Sequence, residues 1–225
     1  MKNIIQIAGV IDLTEADMLI DAGVDWLGFP FRLPVNKEDL PEAAAAQIIT
    51  QLKSPHAGVL ITYLNTAEEI LALCRDLNTQ KVQVHGPIAL SELRRLRDLS
   101  PELFIMKSLV VMQNNLPKLI ENVEAIHPFV DAFITDTHDP DTGADGATGK
   151  THDWGISRKL VEISPKPVIL AGGLKAENVR EAIITVRPAG VDAHTGVENS
   201  DGRKSRDKIE KFVSESRLGF AEITT

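Results

Sequence analysis

A single cysteine, Cys74, stands in the 225 residues, so no disulfide can form within the chain, and the lone thiol fits a reducing compartment. Apolar runs long enough to span a bilayer are missing. So is a signal-type apolar stretch ahead of a cleavage site near the N-terminus. Basic residues are too few to form a nucleic-acid-binding face, the formal net charge being −8. That balance leaves a phosphorylated small molecule open as a partner, because one phosphate needs only a few local donors. A G-x-G-x-x-G after the first strand is absent as well, which counts against a doubly wound dinucleotide fold. No linker-like or low-complexity segment divides the chain. What remains, at 43% hydrophobic and 25% charged, is an ordinary globular composition. The expectation is a cytoplasmic protein with no nucleic-acid or membrane partner.

What is present is repetition. Short β-type apolar runs alternate with segments of helical period from end to end. Strands are expected at residues 4–10, 25–29, 56–62, 81–86, 103–110, 130–135, 167–173 and 190–196. Helices are expected between them: one capped by Thr14 and ended by Gly23, one after Pro41, and others over 66–77, 90–99, 115–126, 153–163 and 175–186. A last helix covers 204–216. Eight strand–helix pairs in this length predict a parallel sheet closed as a single (β/α)8 barrel over residues 1–225, the TIM barrel of the α/β class. Cys74 falls among Ile70, Leu71, Leu73 and Leu77 and reads as core.

In such barrels chemistry gathers at the C-terminal strand ends and the loops after them. Here those positions hold Ala8, Gly9, Phe31, Arg32, Asn65, His85, Gly86, Lys107, Asp136, Gly172, Gly173, His194, Thr195 and Gly196. The pairs Gly172–Gly173 and Thr195–Gly196 follow the last two strands. They suit a phosphate held on backbone amides, or serve only to make tight turns. Asp136 is a candidate general acid, or a carboxylate that orders its loop. Asp139, Asp141 and Asp145 in the glycine-rich loop behind it read as solvent-facing or loop-shaping and lack metal-ligand spacing. The run Gly149-Lys150-Thr151 closes that loop and suits an anion near a helix start. Gln83 and His85 share parity and both meet substrate if they face inward. Lys107 either meets an anionic group or snorkels.

Seven segments in order then resemble one family: QVHG (83–86), MKSLVV (106–111), FITDT (133–137), GATGKTHDW (146–154), LAGGLKAENVREAI (170–183), RPAGVDAHTGVE (187–198) and DGRKSRDKIEKFV (201–213). They are similar to phosphoribosylanthranilate isomerase, an enzyme of tryptophan biosynthesis, and the similarity spans essentially the whole chain. The resemblance implies an Amadori rearrangement of an N-phosphoribosyl aromatic amine to a 1-deoxyribulose phosphate, without a cofactor, in a monomer or homodimer. It makes Asp136 the acid and places Gly172, Gly173 and Gly196 at the phosphate. It also exposes departures. The family's first strand ends in Lys-x-Cys-Gly, with the cysteine as base, where this chain has Gln6-Ile7-Ala8-Gly9. The second loop is shorter, which makes Arg32 a shifted candidate for the substrate carboxylate. The family's Ser-Ser-Gly is His194-Thr195-Gly196 here. Strand eight neighbours strand one in a closed barrel, so His194 is expected beside Ala8, with Asp192 below it on the same face, either as a replacement base on the original or a related substrate or only as a phosphate or packing contact. A catalytically silent barrel that binds a phosphorylated ligand or a protein partner is the alternative.

Overall fold

The computed structural model describes residues 2–34, 38–137 and 151–224. Its strands are β1 (Ile4–Ala8), β2 (Trp26–Phe31), β3 (Ala57–Thr62), β4 (Lys81–Val84), β5 (Phe104–Val111), β6 (Ala132–Thr137), β7 (Val168–Leu170) and β8 (Gly190–Ala193). All pair in parallel and in chain order, and β8 returns to β1, so the barrel is closed. The helices are α1 (Leu13–Asp21), α2 (Glu42–Gln51), α3 (Ala67–Asp76), α4 (Leu90–Leu99), α5 (Leu116–Ile126), α6 (Trp154–Ile163), α7 (Val179–Val186) and α8 (Arg206–Thr224).

Local chemistry moves several expected boundaries. Asp12, not Thr14, caps α1, its carboxylate accepting from the Glu15 N–H at 2.8 Å. An aspartate one residue ahead of a helix satisfies a free backbone donor that Thr14, already inside it, cannot reach. β5 runs on to Val111, so Lys107 lies within the strand rather than at its end. β6 begins at Ala132 and includes Asp136. β8 stops at Ala193, and a 3-10 turn over Thr195–Val197 follows. Cys74 is buried in the core, and burial pushes its thiol up to about 12.

Two apolar bodies hold the barrel. The larger lies between sheet and helices and includes the fully buried Phe29, Phe31, Phe133, Phe212 and Phe220. Each such side chain contributes roughly 1.5–3 kcal/mol by leaving water. The smaller fills the barrel, with Trp26, Val59, Met106, Ala132, Ile134 and Ile169. Followed around the register, the inward positions stack in layers of four taken from alternate strands. At the bottom, the Lys81 ammonium lies 4.8 Å and 4.7 Å from the ring centres of Trp26 and Phe104. Gln6, Val59, Met106 and Ile169 come next, then Gly28, Gln83, Ile134 and Asp192. Ala8, Ile61, Ser108 and Ala171 form the fourth layer. The topmost holds Pro30, His85, Asp136 and the position of His194. The ionisable side chains of the interior are thus Lys81 at the bottom, Asp192 midway, and His85 and Asp136 with His194 at the top.

Candidate active site

Asp136 and His85 meet across the top layer. His85 Nε2 lies 3.1 Å from Asp136 Oδ2, and both residues are buried. The other carboxylate oxygen accepts from the Thr137 N–H at 2.8 Å. Tyr63 stacks on the His85 ring, with centroids 4.7 Å apart and planes 20° apart. Gly86 allows this, since a methyl group there would lie 2.8 Å from the Tyr63 ring. His85 Nδ1 is buried with no partner among the described residues. The carboxyl group is thus fixed in rotation while its strand holds it at the mouth.

His194 stands directly above the end of β8, beside the end of β1. A methyl group on Gly9 would lie 2.1 Å from His194 Nε2, so the imidazole fills the space over Gly9, whose φ is +76°. Glycine accepts that backbone without strain and carries no Cβ to oppose the ring. The carboxylate within reach of the imidazole is Glu198, whose Oε1 is 3.3 Å from Nε2, whereas Asp192 is engaged to Gln6. Glu198 in turn accepts from Lys204 Nζ at 2.6 Å, and the Lys204 N–H donates to Glu15 at 2.8 Å. Burial, and then the charge of Lys204, push the His194 imidazole down to about 3, so it is neutral at physiological pH.

The loops after β7 and β8 press together. A methyl group on Gly196 would fall 2.0 Å from the Leu174 carbonyl oxygen, and one on Gly172 would fall 2.1 Å from Thr137 Oγ1. Gly172 and Gly173 have φ of +98° and +64°. Asn178 braces the loop, accepting from the Lys175 N–H and donating to the Gly173 carbonyl. His152 ties β6 to α6: Nδ1 is 2.8 Å from Thr137 Oγ1 and Nε2 is 2.6 Å from Ser157 Oγ. Burial pushes His152 down to about 4. Thr195 is exposed on the adjoining turn.

The other candidates fall farther from the centre of the mouth. Arg32 is half exposed with φ +58°, and its guanidinium faces Glu38 and Glu42. Lys107 is buried and its Nζ donates to the carbonyls of His85 and Ser108 at 3.2 and 3.1 Å. Gln83 lies two layers' depth into the barrel, accepting from Gln6 and donating to Ser108. Asp139, Asp141, Asp145, Gly149 and Lys150 lie outside the described residues. Among those described, no group of three or more His, Cys, Asp or Glu side chains could hold a metal ion, and no helix is long and apolar enough to cross a membrane. The residues missed from sequence are Tyr63, His152 and Lys204. Glu198 carried a weak signal, its four-residue spacing from His194.

Fold and mouth define a (β/α)8 barrel with ionisable side chains gathered at its C-terminal strand ends. Comparison with known proteins narrows it. Residues 5–215 match the family profile of N-(5′-phosphoribosyl)anthranilate (PRA) isomerase. N-(5′-phosphoribosyl)anthranilate isomerase 2 of Methanosarcina mazei is 36% identical over 220 residues, which is 97% of this chain and 96% of that protein. The isomerase of Methanosarcina acetivorans is 32% identical over 232 residues, 98% and 96% of the two chains. The crystal structure of phosphoribosyl anthranilate isomerase from Thermotoga maritima superposes with a TM-score of 0.81 at 26% identity, covering 96% of this chain and 99% of that one. The chain belongs to the phosphoribosylanthranilate isomerase family.

Proposed function

We propose that the protein rearranges an N-phosphoribosyl aromatic amine to the 1-deoxyribulose phosphate, with Asp136 as general acid and His194 as general base. The observation that carries this is the top layer of the barrel, where Asp136, steadied by His85, and His194 belong to strands two apart on one rim. Asp136 protonates the furanose ring oxygen and the ring opens to a Schiff base. His194 then removes the C2′ proton and leaves an enolamine, which tautomerises to the ketone. A neutral imidazole with Nε2–H turned to Glu198 keeps the Nδ1 lone pair for that proton. A phosphate dianion seated nearby raises its proton affinity, offsetting the burial that lowers it.

Gly172, Gly173, Thr195 and Gly196 hold that phosphate, supported by the interlocked loops after β7 and β8. Gln83 and His85 order the site from below and beside the acid. Arg32 receives the carboxylate of the aromatic amine once it leaves its glutamates, and Lys107 adds positive potential behind the β4 and β5 ends, where its Nζ meets the His85 and Ser108 carbonyls. No cofactor enters these steps. The net charge of −8 supports an enzyme without a nucleic-acid partner and the lone cysteine a cytoplasmic one, and we take it to work as a monomer or homodimer.

Ala8, where the family has its cysteine, favours one second reading: a silent barrel that binds a phosphorylated ligand. Freshly generated phosphoribosylanthranilate, followed by loss of its fluorescence, separates the two. Turnover by the parent protein is expected. Turnover by neither the parent nor an Ala8→Cys variant sinks the isomerase assignment for this substrate, and turnover by the variant alone identifies a dormant scaffold.

A further inference from the structure

Beneath the mouth runs a chain of side chains that the acid and base do not use, buried at Gln6, Gln83 and Ser108 and half-buried at Asp192. Gln6 and Asp192 face each other in register on β1 and β8. Gln6 Nε2 donates to Gln83 Oε1 at 3.3 Å, and Gln83 Nε2 donates to Ser108 Oγ at 3.2 Å. Gln6 also hydrogen-bonds the Asp192 carboxyl group. Two acceptors in this chain have no donor among the described residues: Gln6 Oε1 and Asp192 Oδ1. Neighbouring parallel strands lie about 4.8 Å apart, which puts these side chains in direct reach of each other. Leaving two buried acceptors unmet is costly, and a single hydrogen atom between them meets both.

We propose that Asp192 is a neutral carboxylic acid in the native protein, joined to Gln6 as an acid–amide pair, and that this pair sets the direction of the hydrogen-bond chain ending at Ser108. The acid O–H donates to Gln6 Oε1, and the Gln6 amide donates back. That fixes which end of Gln6 faces Gln83, and hence which end of Gln83 faces Ser108. Ser108 Oγ, having accepted from Gln83, keeps its own hydrogen for the layer above, where His85 and Asp136 stand on the two flanking strands. Asp192 and Gln6 are positioning residues; this use of Ser108 rests on the function proposed above, while the state of Asp192 does not.

The surroundings agree. The groups facing Asp192 are Gln6 from β1, Asp136 from β6, Lys204 from the turn ahead of α8 and His194 next along its own inward face. Burial and the Asp136 charge raise its proton affinity, and Gln6 and Lys204 oppose them with smaller effect. Above it, Ala8 and Ala171 supply no polar atom. An ionised Asp192 would add a second anion close to Asp136, under the proposed phosphate site.

The sign of the pH effect makes the test. Above the ordinary carboxyl value of 3.8 the unfolded chain gives up the Asp192 proton while the folded chain keeps it. The parent protein therefore loses stability relative to Asp192→Asn as pH rises. Asparagine is neutral at every pH and forms the same pair through its own amide. The melting temperature of the parent minus that of Asp192→Asn is expected to fall steadily from pH 4 towards neutrality. Infrared spectra of the parent at neutral pH should carry a protonated-carboxyl band that is missing in Asp192→Asn. A difference that is flat or rises with pH, or a band unchanged by the substitution, overturns the proposal. Neither measurement needs substrate, so a failed turnover assay leaves both outcomes readable. Asp192→Ala should lower kcat and Asp192→Asn should recover most of it; loss in both at equal stability would make Asp192 a working carboxylate instead.

Discussion

At the scale of single residues, the proposed site rests on two ionisable groups and on what each leans against. Asp136 touches His85 and the backbone of Thr137; His194 touches Glu198 and fills the space over Gly9. Removing a positioned acid or base costs about 10²–10⁴-fold. Asp136→Asn and His194→Ala should each lower kcat/KM by that amount with little change in melting temperature. Full activity in His194→Ala would remove that residue as the base. Asp136 was legible in the sequence because it follows an apolar run at a position the barrel turns upward. His194 was legible from its parity and the closure of β8 on β1. Its partner was not: Glu198 reaches back through a 3-10 turn whose bridge to Lys204 joins residues far apart in pattern.

At the scale of elements, the eight strands could be read because each is a short apolar run between polar helices. Their ends could not, since capping by Asp12 and the extension of β5 to Val111 depend on single hydrogen bonds and pairings. The loops after β7 and β8 carried a glycine signal in the sequence; its physical cause is their mutual contact. Gly196→Ala must force Leu174 away, so it should raise KM for the phosphorylated substrate at least roughly tenfold, the worth of one hydrogen bond to a charged group. An unchanged KM would take Gly196 out of the phosphate cradle. Asp153 caps α6 through the Gly155 N–H at 2.8 Å. Asp153→Ala should cost about 0.5–2 kcal/mol, a fall in melting temperature of roughly 2–4 °C for each kcal/mol.

At the scale of the whole molecule, two half-buried histidines set an acid limit. His152 and His194 are pushed down to about 4 and about 3, from an ordinary 6.5 in the unfolded chain. Below pH 6.5 the unfolded chain takes up protons that the folded chain refuses, so stability is whole above 6.5 and is lost as pH falls towards 4. Melting temperatures measured across that window should decline, and His152→Gln should flatten the decline. An equal slope in the variant would assign the loss elsewhere. Closure of the barrel was foreseeable from the count of strand–helix pairs. The hydrogen-bond chain inside it was not, because Gln6 on β1 meets Gln83 on β4 only when the sheet is rolled.

The imidazole over Gly9 also constrains how this protein could change. It already fills the space beside Ala8 into which a thiol at position 8 would open. Ala8→Cys alone should therefore gain little, and His194→Ser alone should lose the base. Made together, the two substitutions clear the space and supply a nucleophilic base from the first strand. Their combined effect on kcat/KM should exceed the product of the separate effects, which a double-mutant cycle measures directly. The route between the two bases then gains little or loses activity at its first step, whichever substitution comes first, and that would hold each solution in place once reached.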